Sequence, residues 1–477
     1  STLMTGRMPS LHGVRHNGIC LPLRSNTLVD LLRTEGYSTA LLGKSHLQNF
    51  DTRPPPLKRG DPPAGRTYPK GDLAEAMRPA QGEGSYLQET PASWADDPDY
   101  KVDTPYYGFD HVDLCTAHGD KVGGNYLHWL RANHPDADAL RDPENALDHD
   151  YVCPQARRTA IPEELYTTSY VGEMTNQFLE RHAAQGDDQP FFAMMSFPDP
   201  HHPFTPPGKY WDMYKPEDMV LPNSFKLVNR EPPPHVAWAR QMREEGKAEV
   251  NSQSAFAIDE REAREAMALT LGSITMIDDT IGRTLKRLEE LGMADDTVVI
   301  FTTDHGDYLG DHRLLLKGPL PFQGLVRVPF IWADTKSNAK PGSCGALAGT
   351  LDIGATILDR AGLEPYNGMQ GRSLLGLAAG ETEKVHDSIL IEDDQQRTYL
   401  GFKGPVRLHT LVTQGWRITL YHDEDWGEMY DLANDPDEME NLWDEAEHQG
   451  TKLELMELLA RRQMELIDRS PLPTAMA

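Results

Sequence analysis

The chain of 477 residues is long enough for two or three domains, at roughly 100–200 residues per domain. Its hydrophobic fraction of 39% and charged fraction of 25% are typical of globular proteins, and no apolar run approaches the ~20 residues that a membrane-spanning helix needs. Its 74 acidic and 46 basic residues give a formal charge of -28, which repels polyanions. We therefore expect neither a membrane nor nucleic acid as a partner, and an anionic ligand would need a local basic pocket.

The cysteines predict a reducing compartment. Cys20, Cys115, Cys153 and Cys344 are too widely spaced for a disulfide framework or a metal-binding motif. We therefore expect a cytoplasmic location. A periplasmic or secreted location stays open, because the natural N-terminus is expected upstream of Ser1 and a signal peptide could not be read.

The first third of the chain contains one clear strand. Residues 1–50 alternate between loop and helix and then give the apolar run Thr39–Leu42, which predicts a buried strand ending at Gly43. Residues 51–110 are rich in Pro, Gly and Asp without a sustained period, which indicates a surface insertion. We expect the whole insertion to cover about residues 51–190.

Two later strands run directly into polar loops. Pro190–Ser196 is a continuous apolar run followed by the proline-rich loop 198–203. Residues 260–291 show helical spacing, and the β-branched strand Thr297–Thr303 then enters Asp304–Asp307. This order predicts an open α/β sheet, in which binding sites form beyond the carboxyl ends of the strands.

The pattern changes beyond about residue 385. Arg407–Thr413 and Arg417–Tyr421 predict short antiparallel strands, and an amphipathic helix follows at about 450–468. We therefore divide the chain into an α/β domain, residues 1–384, and a smaller antiparallel-sheet subdomain, residues 385–477. The final helix is a candidate surface for a homo-oligomer.

Candidate chemical groups lie in the loops after the predicted strands. Asp304 and His305 are a carboxylate and an imidazole at the end of a buried strand, where a divalent cation could be held. His201 and His202 lie in a loop braced by prolines, and at most one of them is expected to be catalytic. Each pattern is also compatible with ordinary turn or packing residues.

Lysine side chains add a candidate anion pocket. Lys44 and His46 follow the first strand with one residue between them, so in an extended segment they point to the same side. Lys317 lies close in sequence to Asp304, although a solvated surface lysine is the ordinary alternative.

The order of these motifs resembles the sulfatase family. Residues 1–13, Ser-Thr-Leu-Met-Thr-Gly-Arg-Met-Pro-Ser-Leu-His-Gly, resemble the second half of its signature, and residues 36–46 resemble its Gly-Tyr-x-Thr…Gly-Lys-Trp-His segment, with Ser45 in place of the aromatic residue. Further matches, in chain order, are Pro200–Pro203, Thr303–Gly306, Gly310–His312, Lys317-Gly318, Arg327–Pro329 and the segment from Tyr430 through Asp435 to Asn441.

The resemblance implies an alkaline-phosphatase-like fold, a central mixed sheet flanked by helices with a smaller C-terminal antiparallel sheet. It implies hydrolysis of sulfate monoesters by a formylglycine hydrate and a divalent metal, with calcium preferred and manganese or magnesium as alternatives. The implied roles are as follows: Asp304 and His305 bind the metal, Lys317 and His201 contact sulfate, Lys44 and His46 hold the hydrate, His201 protonates the leaving oxygen, and Asn17 binds substrate.

The nucleophile implied by the resemblance is not found in the matching segment. The Cys/Ser-x-Pro-Ser-Arg half of the signature is expected before Ser1, together with a first strand and its acidic metal ligands. Cys20-Leu-Pro-Leu-Arg24 has the bare spacing of that motif, but Thr-Gly does not follow it. We therefore expect Cys20 to be a packing residue.

Two other functions stay open. One is hydrolysis of phosphonate monoesters or phosphodiesters on the same fold, because tetrahedral phosphorus and sulfur need similar cation arrangements. Lys44 and His46 favour sulfate over this alternative. The other is a binding protein that retains the fold without catalysis. For the enzyme, the expected partners are a small anionic sulfate ester and a formylglycine-generating enzyme.

Overall fold

The computed structural model describes residues 1–53, 65, 67, 82–186, 188–226 and 231–468. Much of the Pro-, Gly- and Asp-rich stretch predicted as a surface insertion therefore lies outside the described residues, and so does the end of the predicted C-terminal subdomain, residues 469–477. No helix within the described ranges is long and apolar enough to cross a membrane.

The strands of the described residues form one mixed sheet, one antiparallel sheet and two short pairs. Their bounds are β1 (Ser38–Gly43), β2 (His111–Thr116), β3 (Gly123–Gly124), β4 (Phe191–Ser196), β5 (Phe256–Ala257), β6 (Val299–Thr302), β7 (Leu314–Leu315), β8 (Phe330–Ala333), β9 (Ser388–Asp394), β10 (Arg407–Thr413), β11 (Trp416–Tyr421) and β12 (Gly427–Asp431).

Helices surround these sheets, and short 3₁₀ turns connect several of them. The α-helices of the described residues are α1 (Thr2–Thr5), α2 (Pro9–His12), α3 (Leu28–Thr34), α4 (Pro91–Asp96), α5 (Asn125–Asn133), α6 (Ala137–Leu140), α7 (Thr167–Gln185), α8 (Pro234–Glu244), α9 (Glu260–Glu290), α10 (Gln323–Val326), α11 (Thr350–Arg360), α12 (Leu375–Ala379) and α13 (Gln449–Glu465).

The mixed sheet has the strand order β3-β2-β1-β4. β1 is parallel to both β2 and β4, and Gly43 at its end lies opposite Leu114 of β2 and Ser196 of β4. The predicted strands at 39–42 and 190–196 are therefore confirmed as neighbours. Because the three parallel strands end at the same edge, the loops that follow them meet there.

Alternating side chains of the sheet are covered by helices on both faces. Leu41 packs with side chains of α3 and α11, whereas Ala40 and Leu42 pack with side chains of α5 and α7. This alternation follows from the period of two residues along a strand. Burial of both faces explains why residues 40–42 of β1 are all apolar.

The range 51–190, predicted as an insertion, contains β2, α5 and α7, which belong to the central sheet and to one covering layer. In β2, polar His111 and Asp113 alternate with apolar residues, so the strand lacks a continuous apolar run. His111 Nε2 lies 2.7 Å from Asp113 Oδ2. The division of the chain at residues 384 and 385 stays a prediction.

The predicted helix at 260–291 and the strand after it are confirmed as α9 and β6. The Asp259 side chain caps the first turn of α9 by accepting a hydrogen bond from Glu262 N at 2.9 Å. In return, the Glu262 carboxylate accepts a hydrogen bond from Asp259 N at 2.9 Å. β6 pairs antiparallel with β8. Asp304 and His305 follow the end of β6.

The predicted C-terminal sheet is confirmed, with the order β12-β11-β10-β9. One face packs Leu411, Ile418 and Met429 against α13. Fully buried Arg417 forms ion pairs with Glu428 and Glu438 on this sheet and the loop that follows it. Glu438 also accepts a hydrogen bond from Gln323 N (2.7 Å), which joins the sheet to α10.

Candidate active site

The loop after β1 carries Lys44 and His46. Lys44 N donates to Ser196 O at the end of β4 (3.0 Å), so this loop leaves the sheet beside the start of the His201 loop. His46 has φ 51, a left-handed conformation that costs a residue with a side chain on the order of 1 kcal/mol. The surrounding structure must therefore hold His46 in place.

Glu89 provides this restraint. Its buried carboxylate receives hydrogen bonds from three successive backbone N–H groups and two hydroxyls, and the donors are His46 N (2.9 Å), Leu47 N (2.8 Å), Gln48 N (2.9 Å), Ser45 Oγ (2.7 Å) and Tyr106 OH (2.6 Å). Ser45, which replaces the aromatic residue of the family segment, is thus part of the restraint on the Lys44–His46 loop.

Replacing Glu89 by glutamine is expected to lower catalytic efficiency about tenfold to a hundredfold and to destabilise the fold by about 1–3 kcal/mol, because an amide cannot accept the same set of hydrogen bonds. Steady-state kinetics and thermal unfolding check this. Exposed Glu83, on the same segment, provides a control in Glu83→Gln. Equal catalytic efficiencies and equal melting temperatures in the two variants would contradict the role of Glu89.

The loop after β4 brings His201 into contact with Lys317. Lys317 Nζ lies 2.5 Å from His201 Nε2, and His201 Nδ1 lies 2.5 Å from His202 O. This arrangement fits one tautomer, in which Nδ1–H donates to the carbonyl and Nε2 accepts from the ammonium. Desolvation, together with the nearby rings and Lys317, lowers the pKa of His201, so the proton of this contact rests on Lys317 Nζ.

His202 has a different environment. It is 1% exposed, and its Nε2 lies 2.8 Å from Gln253 Oε1. The two neighbouring histidines thus differ in their contacts: His201 contacts Lys317, and His202 is bonded to a loop on its other side.

Asp304 and His305 lie together after β6. His305 Nε2 is 3.7 Å from Asp304 Oδ2, while its Nδ1 is 2.7 Å from Gly306 O. A histidine that donates Nδ1–H to a carbonyl keeps its Nε2 lone pair for a cation. Within the described ranges, no group of three or more His, Cys, Asp or Glu residues could hold a metal ion. The pair fits two ligands of a divalent-metal site.

These loops form one electrostatic cluster. Burial lowers the pKa of Lys44, and it lowers the pKa of Lys317 to about 8. Desolvation works to raise the pKa of Asp304, but the influence of His305, Lys44 and Lys317 outweighs it and lowers that pKa. The His201 and His305 ring centroids lie 6.4 Å apart. The structure thus brings together all the predicted residues of the three loops.

His46 belongs to the same cluster and is neutral at physiological pH. Desolvation, together with the nearby charge of Lys44, lowers its pKa to about 3. Its ring stacks on Phe50 with a centroid distance of 4.1 Å and an interplanar angle of 12°. A neutral imidazole can accept a proton from a nearby hydroxyl group.

Asn17 lies on an exposed loop that joins two parts of the molecule. Asn17 O accepts a hydrogen bond from Gln396 Nε2 (2.6 Å) after β9, and Gly18 O accepts one from Asn49 Nδ2 (3.2 Å) after the Lys44–His46 loop. The loop is therefore tied to the site, while no contact joins the Asn17 side chain to Lys44, His201 or Lys317 in the described chain.

Glu89 and His118 were not predicted as site residues. Glu89 lies in the range read as an insertion, and no motif marks it. His118 follows β2, and its ring stacks on His201 with a centroid distance of 3.6 Å. Recognition of β2 as a parallel neighbour of β1 would have placed His118 at the same edge.

Asp199, in the His201 loop, is a buried carboxyl whose pKa burial raises to about 7, against an ordinary value of 3.8. The folded state therefore favours the protonated form, so the stability from this group is fully present below pH ~4 and is lost as pH rises through ~7. The variant Asp199→Asn has no titrating carboxyl at this position, so it does not lose this stability as the pH rises. We expect the melting temperature of the variant, relative to wild type, to increase between pH 4 and pH 7 and then to level off.

Calorimetry across this pH range checks the prediction, with exposed Asp97→Asn as the control. A melting-temperature difference between Asp199→Asn and wild type that does not change with pH would contradict it.

Cys20 does not have the environment of a nucleophile. It is 1% exposed, in agreement with the predicted packing role. No disulfide joins the described cysteines; Cys115 and Cys153 are buried and Cys344 is exposed.

Comparison with known proteins identifies the family. The family model Sulfatase matches residues 1–363, and the model described as N-sulphoglucosamine sulphohydrolase, C-terminal, matches residues 310–465. The chain belongs to the sulfatase family. Its fold is that of the alkaline-phosphatase-like sulfatases and phosphonate monoester hydrolases.

Two relatives each match more than half of this chain. The chain is 32% identical to an arylsulfatase from Clostridium perfringens over 61% of this chain and 57% of that relative. It is 29% identical to the multifunctional alkaline phosphatase superfamily protein PehA from Trinickia caryophylli over 66% of this chain and 63% of that relative. The chain thus spans less than two thirds of the length of these relatives.

The phosphonate monoester hydrolase of Agrobacterium radiobacter has a similar solved structure, with a TM-score of 0.70 at 24% identity. The similarity covers 98% of this chain and 86% of that chain. At this identity the similarity defines the fold.

Proposed function

We propose that the protein hydrolyses sulfate monoesters of small, arylsulfate-like substrates. The observation that carries this proposal is the convergence of Lys44, His46, His201 and Lys317 beside Asp304 and His305. Two lysines inside a protein with a formal charge of -28 supply the local basic pocket that an anionic ester needs. Similarity to an arylsulfatase supports the same substrate class.

A divalent metal belongs to this proposal. Asp304 and His305 would hold it, with calcium preferred and manganese or magnesium as alternatives. When bound, the metal would neutralise negative charge on the sulfate group. A formylglycine hydrate would supply the nucleophile.

The side chains of this chain would act on the substrate through charge and proton transfer. Lys44 and Lys317 are half-buried and stabilise negative charge on the sulfate oxygens. Neutral His46 accepts a proton from the nucleophile. His201 Nε2 receives a proton from Lys317 Nζ and passes it to the leaving oxygen.

Metal-dependent release of sulfate tests the proposal. The polypeptide as its gene encodes it, incubated with 4-nitrophenyl sulfate, is expected to release inorganic sulfate and 4-nitrophenol in equal amounts. A chelator is expected to abolish the reaction, and separate additions of calcium, manganese and magnesium identify the metal. No sulfate release from metal-supplemented protein would refute the proposal.

The fold similarity to a phosphonate monoester hydrolase favours one alternative, hydrolysis of phosphonate monoesters or phosphodiesters. Lys44 and His46 support sulfate over this alternative, because the phosphonate-cleaving branch tends to carry other residues there. A non-catalytic binding protein is the other alternative. Intact mass and metal analysis of the encoded polypeptide separate it from an enzyme, which is expected to carry both formylglycine and metal.

The remaining parts of the proposal concern partners and location. We infer that a formylglycine-generating enzyme modifies the protein. We also infer that the protein acts in the cytoplasm, in agreement with the lack of disulfides among its described cysteines. Light scattering would test homo-oligomer formation through α13, whose Leu453 and Met464 side chains are exposed.

A further inference from the structure

His118 reaches the site from the third parallel strand of the central sheet. β1, β2 and β4 run parallel, and their carboxyl ends lie at one edge. His46 follows β1, His201 follows β4, and His118 follows β2. Each strand thus delivers one imidazole to the same place.

The backbone around His118 is held in an unusual conformation. Ala117 and Gly119 on either side have φ 61 and φ 55, both in the left-handed region. A side chain at Gly119 would come within 2.7 Å of Pro203 Cγ, so this turn presses directly against the His201 loop. A left-handed alanine costs energy and persists where the surroundings impose it. The contact with Pro203 therefore holds the turn that carries His118 against the His201 loop.

The two imidazole rings lie face to face. The His118 and His201 centroids are 3.6 Å apart with an interplanar angle of 9°. The Phe50 and His118 rings form an edge-to-face contact with a centroid distance of 5.8 Å. His118 Nε2 is buried and has no hydrogen-bond partner in the described part of the chain. The contact of His118 with His201 therefore depends on the shape of the ring and not on a hydrogen bond from Nε2.

Four contacts define the orientation of the His201 ring. His202 O fixes Nδ1, Lys317 Nζ contacts Nε2, the face of His118 covers one side, and the His202 ring lies at a centroid distance of 4.1 Å and an interplanar angle of 30°. The first two contacts lie in the ring plane and leave it free to tilt. Of the two ring contacts, the one with His118 is closer and nearly parallel, so it opposes this tilt most directly.

We propose that His118 is a positioning residue for His201: its ring holds the His201 imidazole in the plane that directs Nε2 at Lys317. This inference rests on the proposed function, in which His201 passes a proton to the leaving oxygen. His118 acts through His201, so its loss impairs proton delivery and leaves the binding of sulfate by Lys44 intact.

Two variants separate this role from simple packing. His118→Ala removes the stacked ring, whereas His118→Phe keeps a flat ring and loses the two ring nitrogens, of which Nε2 has no hydrogen-bond partner in the described part of the chain. We expect His118→Ala to slow hydrolysis of phenyl sulfate about tenfold more than that of 4-nitrophenyl sulfate, because the poorer leaving group depends more on protonation. His118→Phe is expected to stay within about threefold of wild type on both substrates.

His182 provides a matched control. It is also a buried histidine packed against aromatic rings, with a ring nitrogen that has no partner in the described chain, but it lies on α7 away from His201. His182→Ala is expected to change stability and leave the ratio of the two substrates unchanged. Equal losses on both substrates in His118→Ala, or equal behaviour of His118→Ala and His118→Phe, would overturn the proposal.

Crystal structures of the two variants test the positioning independently of catalysis. If wild type hydrolyses no sulfate ester, the proposed function fails, and the His201 ring can still be observed. We expect the ring to tilt or to adopt several orientations in His118→Ala and to keep its plane in His118→Phe. An unchanged His201 ring in His118→Ala would overturn the proposal.

Discussion

Replacing Lys317 by methionine is expected to lower kcat/KM for 4-nitrophenyl sulfate by about 10²–10³-fold, the effect of removing one fixed donor from a developing anion. Lys317 is the cation that contacts His201, so its loss removes both charge on the sulfate side and the source of the proton at His201 Nε2. Steady-state kinetics on the encoded polypeptide measures the change.

Thermal unfolding distinguishes this effect from misfolding. Burial already lowers the pKa of Lys317, which shows that its charged form is costly to hold. A methionine of similar length should therefore leave the melting temperature unchanged or raise it. Lys286→Met on the exposed side of α9 is the control. A loss below threefold in Lys317→Met, with folding intact, would argue against the anion pocket.

Replacing His201 by glutamine is expected to lower kcat for phenyl sulfate by about 10²–10⁴-fold, the usual range for loss of a positioned acid or base. The effect on 4-nitrophenyl sulfate should be much smaller, because 4-nitrophenolate leaves without protonation. Glutamine fills a similar space and can still contact Lys317, so the comparison isolates the proton. A plot of log kcat against the pKa of the leaving phenol measures this dependence.

The neighbouring histidine makes the control specific. His202 Nε2 is bonded to Gln253, and glutamine at position 202 can still hydrogen-bond to it. We expect His202→Gln to lose less than about tenfold and to show no change in leaving-group dependence. If His202→Gln acquires the steeper dependence and His201→Gln does not, the roles of the two residues are reversed.

The continuous apolar strands could be predicted from the sequence because few polar residues interrupt them; β1 is buried on both faces, and the residues of β4 are half-buried. Thr39–Leu42 and Pro190–Ser196 have little polar content, and the structure forms β1 and β4 from them. β2 was missed since His111 and Asp113 interrupt its apolar pattern. The same omission hid His118, because its relation to His201 depends on the pairing of two strands.

The order of the motifs predicted a shared site for several residues, while the residues that support them were not predicted. Lys44, His201, Lys317 and Asp304 follow strand ends or belong to a recognisable order of motifs. Glu89 stabilises the Lys44–His46 loop through backbone N–H groups, and such contacts leave no pattern in the sequence. Long-range acceptors of this kind depend on tertiary structure alone.

The most direct test of the central claim compares two substrates side by side. The encoded polypeptide, supplied with metal, is assayed for kcat/KM on 4-nitrophenyl sulfate and on 4-nitrophenyl phenylphosphonate. The account predicts a higher value on the sulfate ester, and it predicts that Lys44→Met reduces this value more than the value on the phosphonate. Faster cleavage of the phosphonate, or no cleavage of the sulfate ester, would contradict the account.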